Sequence, residues 1–542
     1  NRLQNVVSSI LLEFGSKRFQ KLFYPLHIGM LSNLQRRAQK SIEIFMKLKE
    51  KEKSAADDLM LFVDSLNRAA VSILEEWKYG IEDSHRLHEK NEINASIEII
   101  ESLLKRLKEP KCNLDEQLSM TIKSIICDLP DFFNLVRNRD QISSQNHSKE
   151  KVHKYLLQNS QIEEEFEEEE EHEEPENQII SLLWIKLHRI YNKLTAKINS
   201  LASISLSTVS PELTKLDLNI DIPGTHGKSK ILSIEPNLQV LPTAYHPRIL
   251  RIHDDDGYKH KFLLKGNCDV RIDYRIMQFF LLINTLLSKN RSTKNLSITQ
   301  YSIVPITKNS GLISWVEKAE SLHQIINKFP KNRSKEQEII KSYSSNTTTL
   351  TSSQLLELFT LINSDHSLTA YEVDRYLWLK APTSSLWIQN NHTFVSSSGL
   401  MSIAGYIIGL GDRHPNNILL QMDNGKIAHI DFGEVFEVTM NRSVYPEKVP
   451  FRLTRMIVNT LDGSNPYGLF EKTCIDVLSL MREAKQSICS QFNLFTIDST
   501  IAKNPKFENA MITKRVKEKL DGKDSFWFDD VNEEENTMKI EV

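Results

Sequence analysis

Residues 409–437, GLGDRHPNNILLQMDNGKIAHIDFGEVFE, constrain the fold more than any other stretch of the chain. They place Asp412, His414 and Asn417 in one loop, followed by a β-hairpin that returns Asp431 at the start of Asp-Phe-Gly. Phosphoryl transfer asks little covalent help of a protein: a group to orient the attacking hydroxyl, hard oxygen ligands for Mg2+, and cations on the phosphates. The loop supplies the first two. A single Asp in a turn is usually only a cap or an Asx-turn, so the specificity lies in the joint spacing.

Asp412 and Asn417 are five apart, the interval between base and metal-binding Asn in HRDxxxxN, with the order around the Asp reversed to DRH. The cationic part is expected from Lys265, at the end of the strand FLLKG, where its alternative is an edge lysine facing water. Asp273, eight residues on at the start of the next helix, is placed to pair with it.

The texture around these residues changes twice. Up to about Leu107 apolar residues return at three and four, as in Leu59, Phe62, Val63, Leu66 and Ala70, which predicts one-sided helices. Helical periodicity resumes over Ile179–Leu201. Short β-rich runs follow (218–224, 231–242, 248–266) with a hairpin at Asp255–Gly257, then a helix over about Tyr274–Ser288 and a strand at Ser297–Pro305. Beyond Gly311 the chain reads as mainly helical. A β-rich lobe followed by a helical lobe predicts an α+β fold with a ligand cleft.

Composition bounds the rest. The 542 residues carry a net charge of −3, yet the 14 residues from Glu163 to Glu176 hold 11 glutamates and the remainder is +8. That run is expected to be a disordered insertion, and the overall balance argues against nucleic acid as a partner. No apolar run approaches the ~20 residues that span a bilayer. Five scattered cysteines without CxxC disfavour a disulfide scaffold or a zinc site and predict a reducing compartment. The start at Asn1 predicts a piece of a longer chain.

GYIIGLGDRHPNNILL, HIDFGEVFEV and YPEKVPFRLTRM, with LLKG, RxDxRxMQ, SGLISWV and WLKAP in order, resemble the phosphatidylinositol-3-kinase-related protein kinases, and within them the target-of-rapamycin branch, over about Val209–Gly522. The resemblance implies a two-lobed catalytic domain of the PI3/PI4-kinase type, preceded by an all-α bundle, that phosphorylates Ser and Thr with ATP and Mg2+, or Mn2+ in its place. It implies that Lys265 contacts the ATP phosphates beside Asp273 and Tyr301, that Thr243 and Ala244 form the phosphate loop, and that Trp315 and Val316 hold adenine. Asp412 is then the base, His414 a stabiliser of developing charge, and Asn417 and Asp431 the metal ligands. Asp431, Phe432, Gly433, Pro446, Pro450 and Arg452 fall in the activation loop. In the segment after Asp-Phe-Gly, Arg442 and Lys448 stand against Glu434, Glu437 and Glu447, which favours a protein over a phosphoinositide substrate.

The resemblance further implies a rapamycin-binding bundle, its first part in 1–85 and its last helix in 179–215, divided by an insertion at 86–178. The kinase lobes follow at 216–313 and 314–500, with a tail at 501–542 leading into an absent or truncated C-terminal FATC element. Ile10, one turn before Phe14, with Ile185 and His188 after Trp184, departs from the drug-binding pattern and predicts weak binding of rapamycin with its immunophilin. Cys268, where a glutamate is expected, predicts lowered activity. A WD40 β-propeller subunit, engaged through 317–385, and a scaffold subunit are the implied partners. The implied location is cytoplasmic, at endomembrane surfaces, or nuclear. An impaired pseudokinase and the nonsense-mediated-decay member of the family are the alternative readings.

Overall fold

The computed structural model describes residues 2–90, 92–108, 175–215, 219–225, 229–243, 245–329, 337–342, 352–364, 370–442, 446–447, 449–461, 466–497 and 509–524. Its contacts define two units: Asn1–Leu31, Arg36–Cys268 and Ile306–Ile313; and Ser32–Gln35, Asp269–Pro305 and Ser314–Val542. Most of the glutamate run and the acidic C-terminal tail lie outside the described residues.

The first unit begins with helices α1 (Arg2–Lys17), α2 (Phe19–Met30), α3 (Gln35–Lys49), α4 (Lys53–Ala70), α5 (Ile73–Glu89), α6 (Ile93–Lys108) and α7 (Pro175–Asn199). The three- and four-residue periodicity read from the sequence is what buries Leu59, Phe62, Val63, Leu66 and Ala70 on one side of α4. Trp77 and Ile81 of α5, Ile100 and Leu103 of α6, and Leu187 and Ile190 of α7 share one core. Ser72 starts α5 as a capping residue, its N–H and hydroxyl both donating to Glu75 Oε2 at 2.9 and 2.8 Å.

Behind the helices lies a sheet of β1 (Ser203–Ser205), β2 (Ile231–Ile234), β3 (Asn237–Val240), β4 (Arg248–Asp254) and β5 (Lys259–Gly266). Strand β4 pairs antiparallel with β5, Arg248 opposite Leu264 and His253 opposite Lys259, which confirms the hairpin expected at Asp255–Gly257. Of the β-rich run 218–224, the described part makes only an isolated bridge, Asp221 to Lys230. The sheet packs on the helices so closely that a Cβ on Gly266 would stand 2.1 Å from the Ala70 carbonyl oxygen. Arg248, 1% exposed, donates to that same carbonyl and to Glu75.

In the second unit α8 (Arg271–Lys289) starts three residues earlier than the periodicity predicts, because Asp269 Oδ1 accepts from the Arg271 N–H at 3.0 Å and turns the chain into the helix. Strand β6 (Ile303–Pro305) is shorter than the expected 297–305, whose first residues are polar. After β7 (Ser310–Ser314), β8 (Ala319–Ser321) forms a three-stranded antiparallel sheet with β9 (Ile418–Gln421) and β10 (Ile427–His429). The helices of this unit include α9 (Ser352–Ser364), α10 (Glu372–Lys380), the long α11 (Ser384–Ile408), α12 (Leu469–Glu483), α13 (Lys485–Ile497) and α14 (Asn509–Leu520). Helices α12 and α13 are separated at Ala484.

Candidate active site

Helix α11 is buried over its last four turns and stops at Gly409, whose φ of +58° is left-handed backbone that glycine adopts without strain. The loop that follows carries Asp412 at φ +58°. Asp412 is held by its own backbone: its N–H donates to Glu447 Oε2 at 2.8 Å and its carbonyl accepts from Asn417 Nδ2 at 3.0 Å. The Asn417 amide nitrogen is thereby committed to Asp412. The hairpin β9–β10 then returns the chain, and Ile430 N–H donates to the Asn417 carbonyl at 3.0 Å. Asp431 follows, exposed and also left-handed at φ +61°.

Arg413, which the sequence reading did not single out, ties these two segments together. Its guanidinium donates to the carbonyls of Gly411 and Ile430 at 2.8 Å each, and to that of Asp431. Burial pulls its pKa down, with Asp431 and Asp412 opposing. The available signal was its place inside DRH, between two functional residues. Phe432 is fully buried, its ring T-shaped to Phe280 of α8 at 5.3 Å. Its N–H donates to Asp273 Oδ1 at 2.9 Å. Tyr301 lies beside Asp273 and Asp431; burial, and after it those two carboxylates, push its hydroxyl well above the ordinary range.

A family model described as phosphatidylinositol 3- and 4-kinase matches residues 259–504, and one described as the FKBP12-rapamycin binding domain matches 65–156. The Arabidopsis thaliana "Serine/threonine-protein kinase TOR" is 33% identical over 516 residues, 92% of this chain and 19% of that relative. The chain carries a domain of the phosphatidylinositol 3- and 4-kinase family and is similar to TOR kinases along most of its length. It spans about a fifth of such a relative's length. The Drosophila melanogaster "Serine/threonine-protein kinase Smg1" is 28% identical over only 59% of this chain, so the nonsense-mediated-decay alternative is not favoured. Among solved structures, the "FAT and kinase domain of CtTel1" has 20% identity and a TM-score of 0.49, covering 95% of this chain and 43% of that one.

As a chain similar to TOR kinases, it brings Asp273, Tyr301, Asp412, Asn417 and Asp431 together within its second unit. His414 is exposed; its Nδ1 accepts from the Asn416 N–H at 3.2 Å and its Nε2 is 3.9 Å from Asp412 Oδ2. Trp315 and Val316 directly follow β7 and are half-buried. Gly433, Pro446 and Arg452 are exposed and Pro450 is half-buried. In the first unit Lys265 is half-buried on β5, a strand flanked by β4 and β7, so it is not on an edge strand. Thr243 is exposed in the turn after β3, where its N–H donates to Leu241 and its carbonyl accepts from His246. Ala244 lies outside the described residues. Cys268 is half-buried, its N–H donating to the Asn309 carbonyl at 3.0 Å.

Among the described residues no group of three or more His, Cys, Asp or Glu forms a metal cage. The side-chain oxygens of Asn417 and Asp431 are hard donors of the kind a divalent cation takes together with nucleotide phosphates.

The rapamycin-binding match and the expected helical bundle overlap only in part. The expected first part, 1–85, overlaps the rapamycin-binding model only over 65–85. Trp184 of α7 faces a groove of about 890 Å3 lined by Ile81, Glu82, His85 and Glu89 of α5 and by Ile185 and His188. Ile10 and Phe14 take no part in that lining; both are exposed on α1. Periodicity defines a helix face but not the helix that covers it.

Proposed function

We propose that this chain is the catalytic part of an ATP-dependent Ser/Thr protein kinase. The observation that carries the reading is the joint restraint of Asp412 and Asp431, through Arg413 and through the Phe432 N–H on Asp273. Asp412 takes the proton of the substrate hydroxyl as its oxygen attacks the γ-phosphorus and the bond to the ADP oxygen breaks. Asn417 and Asp431 hold Mg2+, which neutralises charge on the phosphates when bound. By resemblance to the family, Lys265 is the residue that meets the phosphates, and Trp315 and Val316 are those that receive the adenine.

A protein hydroxyl is favoured over a lipid headgroup by the commitment of Arg442. It lies 3.4 Å from Asp412 Oδ1 and 3.3 Å from Glu434 Oε1, so it is already neutralised and is a poor cradle for a polyanion. Lys448 lies outside the described residues. A WD40 β-propeller subunit, a scaffold subunit and a cytoplasmic, endomembrane-surface or nuclear location are part of the same proposal. No helix among the described residues is long and apolar enough to cross a membrane.

The test is incorporation of labelled phosphate into a peptide panel and into phosphoinositide vesicles, by the chain and by its Asp431→Ala variant. The expected result is peptide labelling that falls by about 10²–10³ in the variant, the scale of one lost electrostatic contributor. Equal, negligible labelling by both proteins would defeat the proposal, and labelling of vesicles alone would replace the protein substrate with a lipid.

A further inference from the structure

A buried polar cluster outside the reacting groups lies where α14 meets the segment after Asp-Phe-Gly, wholly within the second unit. Lys519, 1% exposed, forms an ion pair with Glu437, 7% exposed, and donates to the Tyr406 carbonyl at 2.6 Å. Its ammonium stands 5.1 Å from the Tyr406 ring centre. Arg515, one turn earlier on α14, lies 3.5 Å from the same Glu437 oxygen and 2.8 Å from Asp524 Oδ1, while the Tyr406 hydroxyl donates to Asp524 Oδ2 at 3.0 Å.

Glu437 is also where the two functional loops are stitched together. Its N–H donates to the Gly409 carbonyl at 3.0 Å, Phe436 N–H donates to Ile408 at 2.8 Å, and Gly411 N–H donates to Glu434 at 2.9 Å. Residues 434–437 thereby run alongside 408–411, a stretch that ends directly before Asp412 on one side of the stitch and begins three residues past Asp431 on the other. Phe436 and Glu437 both hold left-handed φ, +62° and +55°, a conformation that persists only where surroundings impose it. The fit is tight: a Cβ on Gly409 would meet the Glu437 carboxyl carbon at 2.5 Å.

We propose that Lys519, with Arg515, is a positioning residue for phosphoryl transfer: α14 clamps Glu437 and so fixes the spacing of the loops bearing Asp412 and Asp431. The inference rests on the kinase reading above. A buried Glu held by two cations, in a turn tied by three backbone bonds, leaves that strained turn one arrangement. Without Lys519 the carboxylate keeps only the more distant Arg515, its burial is under-compensated and it is driven toward water, and the turn moves with it. Displacement of catalytic groups by ~1 Å from a distant cause costs on the order of 10²-fold in rate.

The experiment compares the 542-residue chain with Lys519→Met and with the double variant Lys519→Met/Glu437→Gln. The single variant is expected to lose melting temperature and about 10²-fold in kcat, with KM for ATP unchanged. The double variant removes the stranded charge, so its melting temperature recovers while kcat stays low. Hydrogen exchange at the 434–441 amides should be faster in both variants. A double variant with full kcat would overturn the clamp, leaving Lys519 as packing only, as would exchange rates equal to those of the unaltered chain. An unaltered chain that transfers no phosphate would instead defeat the kinase reading, and the exchange comparison alone would then decide the clamp.

Discussion

Asp273 Oδ1 accepts a 2.9 Å hydrogen bond from the backbone N–H of Phe432, joining the first turn of α8 to the middle of Asp-Phe-Gly. Asp273 is 2% exposed. Removing its side chain strands a buried donor, which costs about 1–3 kcal/mol. Asp273→Ala is therefore expected to lower both the melting temperature and the transfer of phosphate. Asp273→Asn keeps an acceptor oxygen and should melt close to the unaltered chain. Thermal melts that rank the two variants alike would refute this assignment.

The Glu75–Arg248 pair makes a second prediction, on stability alone. Both side chains are almost wholly buried and Glu75 also receives the Ser72 cap. Glu75→Ala leaves the Arg248 charge uncompensated, for an expected loss of about 3–5 kcal/mol, whereas Glu75→Met/Arg248→Met is expected to lose less because no charge is stranded. Urea unfolding of the three proteins provides the comparison, and a double variant weaker than the single would contradict it.

These two pairs mark the limit of what the sequence discloses. The hairpin at 255–257 and the loop, hairpin and Asp-Phe-Gly of 409–433 are legible because each depends on residues close in the chain, such as Asp254, whose carboxylate accepts from Tyr258 N–H. Asp273 was read as a partner for Lys265, yet its bond to Phe432 spans 159 residues and involves a backbone donor that every residue type would present. Glu437 and Lys519, 82 positions apart, read singly as a solvated acid and a solvated helix lysine. Apolar spacing likewise does not disclose that α5 is the helix that lines the groove beside Trp184.

His27 predicts a pH dependence of stability in the first unit. It is 6% exposed, stacks on Phe23 at 5.7 Å, and burial depresses its pKa, with Asp64 opposing. The unfolded chain then binds the proton first, near pH ~6.5. Stability is complete above that pH and is lost as pH falls through it, by at most ~1.4 kcal/mol per pH unit. The urea midpoint should decline between about pH 7 and pH 5.5, and His27→Leu should flatten the decline. A parallel decline in the variant would assign the effect elsewhere.

The groove beside Trp184 carries a further expectation. Glu82, Arg86, Glu89, His188 and Arg189 ring it with polar groups that an apolar macrocycle must desolvate. Rapamycin with FKBP12 is expected to bind weakly, now on account of Ile185 and His188 and not of Ile10. His188→Phe should tighten binding up to about tenfold, the worth of one added aromatic contact. Calorimetry that finds tight binding by the unaltered chain would reverse the expectation.

Asp412 and Asp431 both sit on left-handed backbone, at φ +58° and +61°, where glycine is at ease and aspartate is not. Replacing either by glycine would remove a reacting group while relaxing the chain that carries it. Such an allele would be inert in chemistry yet at least as well folded. On the proposed kinase reading it would accumulate to normal levels without transferring phosphate, and so separate the effects of the chain's presence from those of its chemistry.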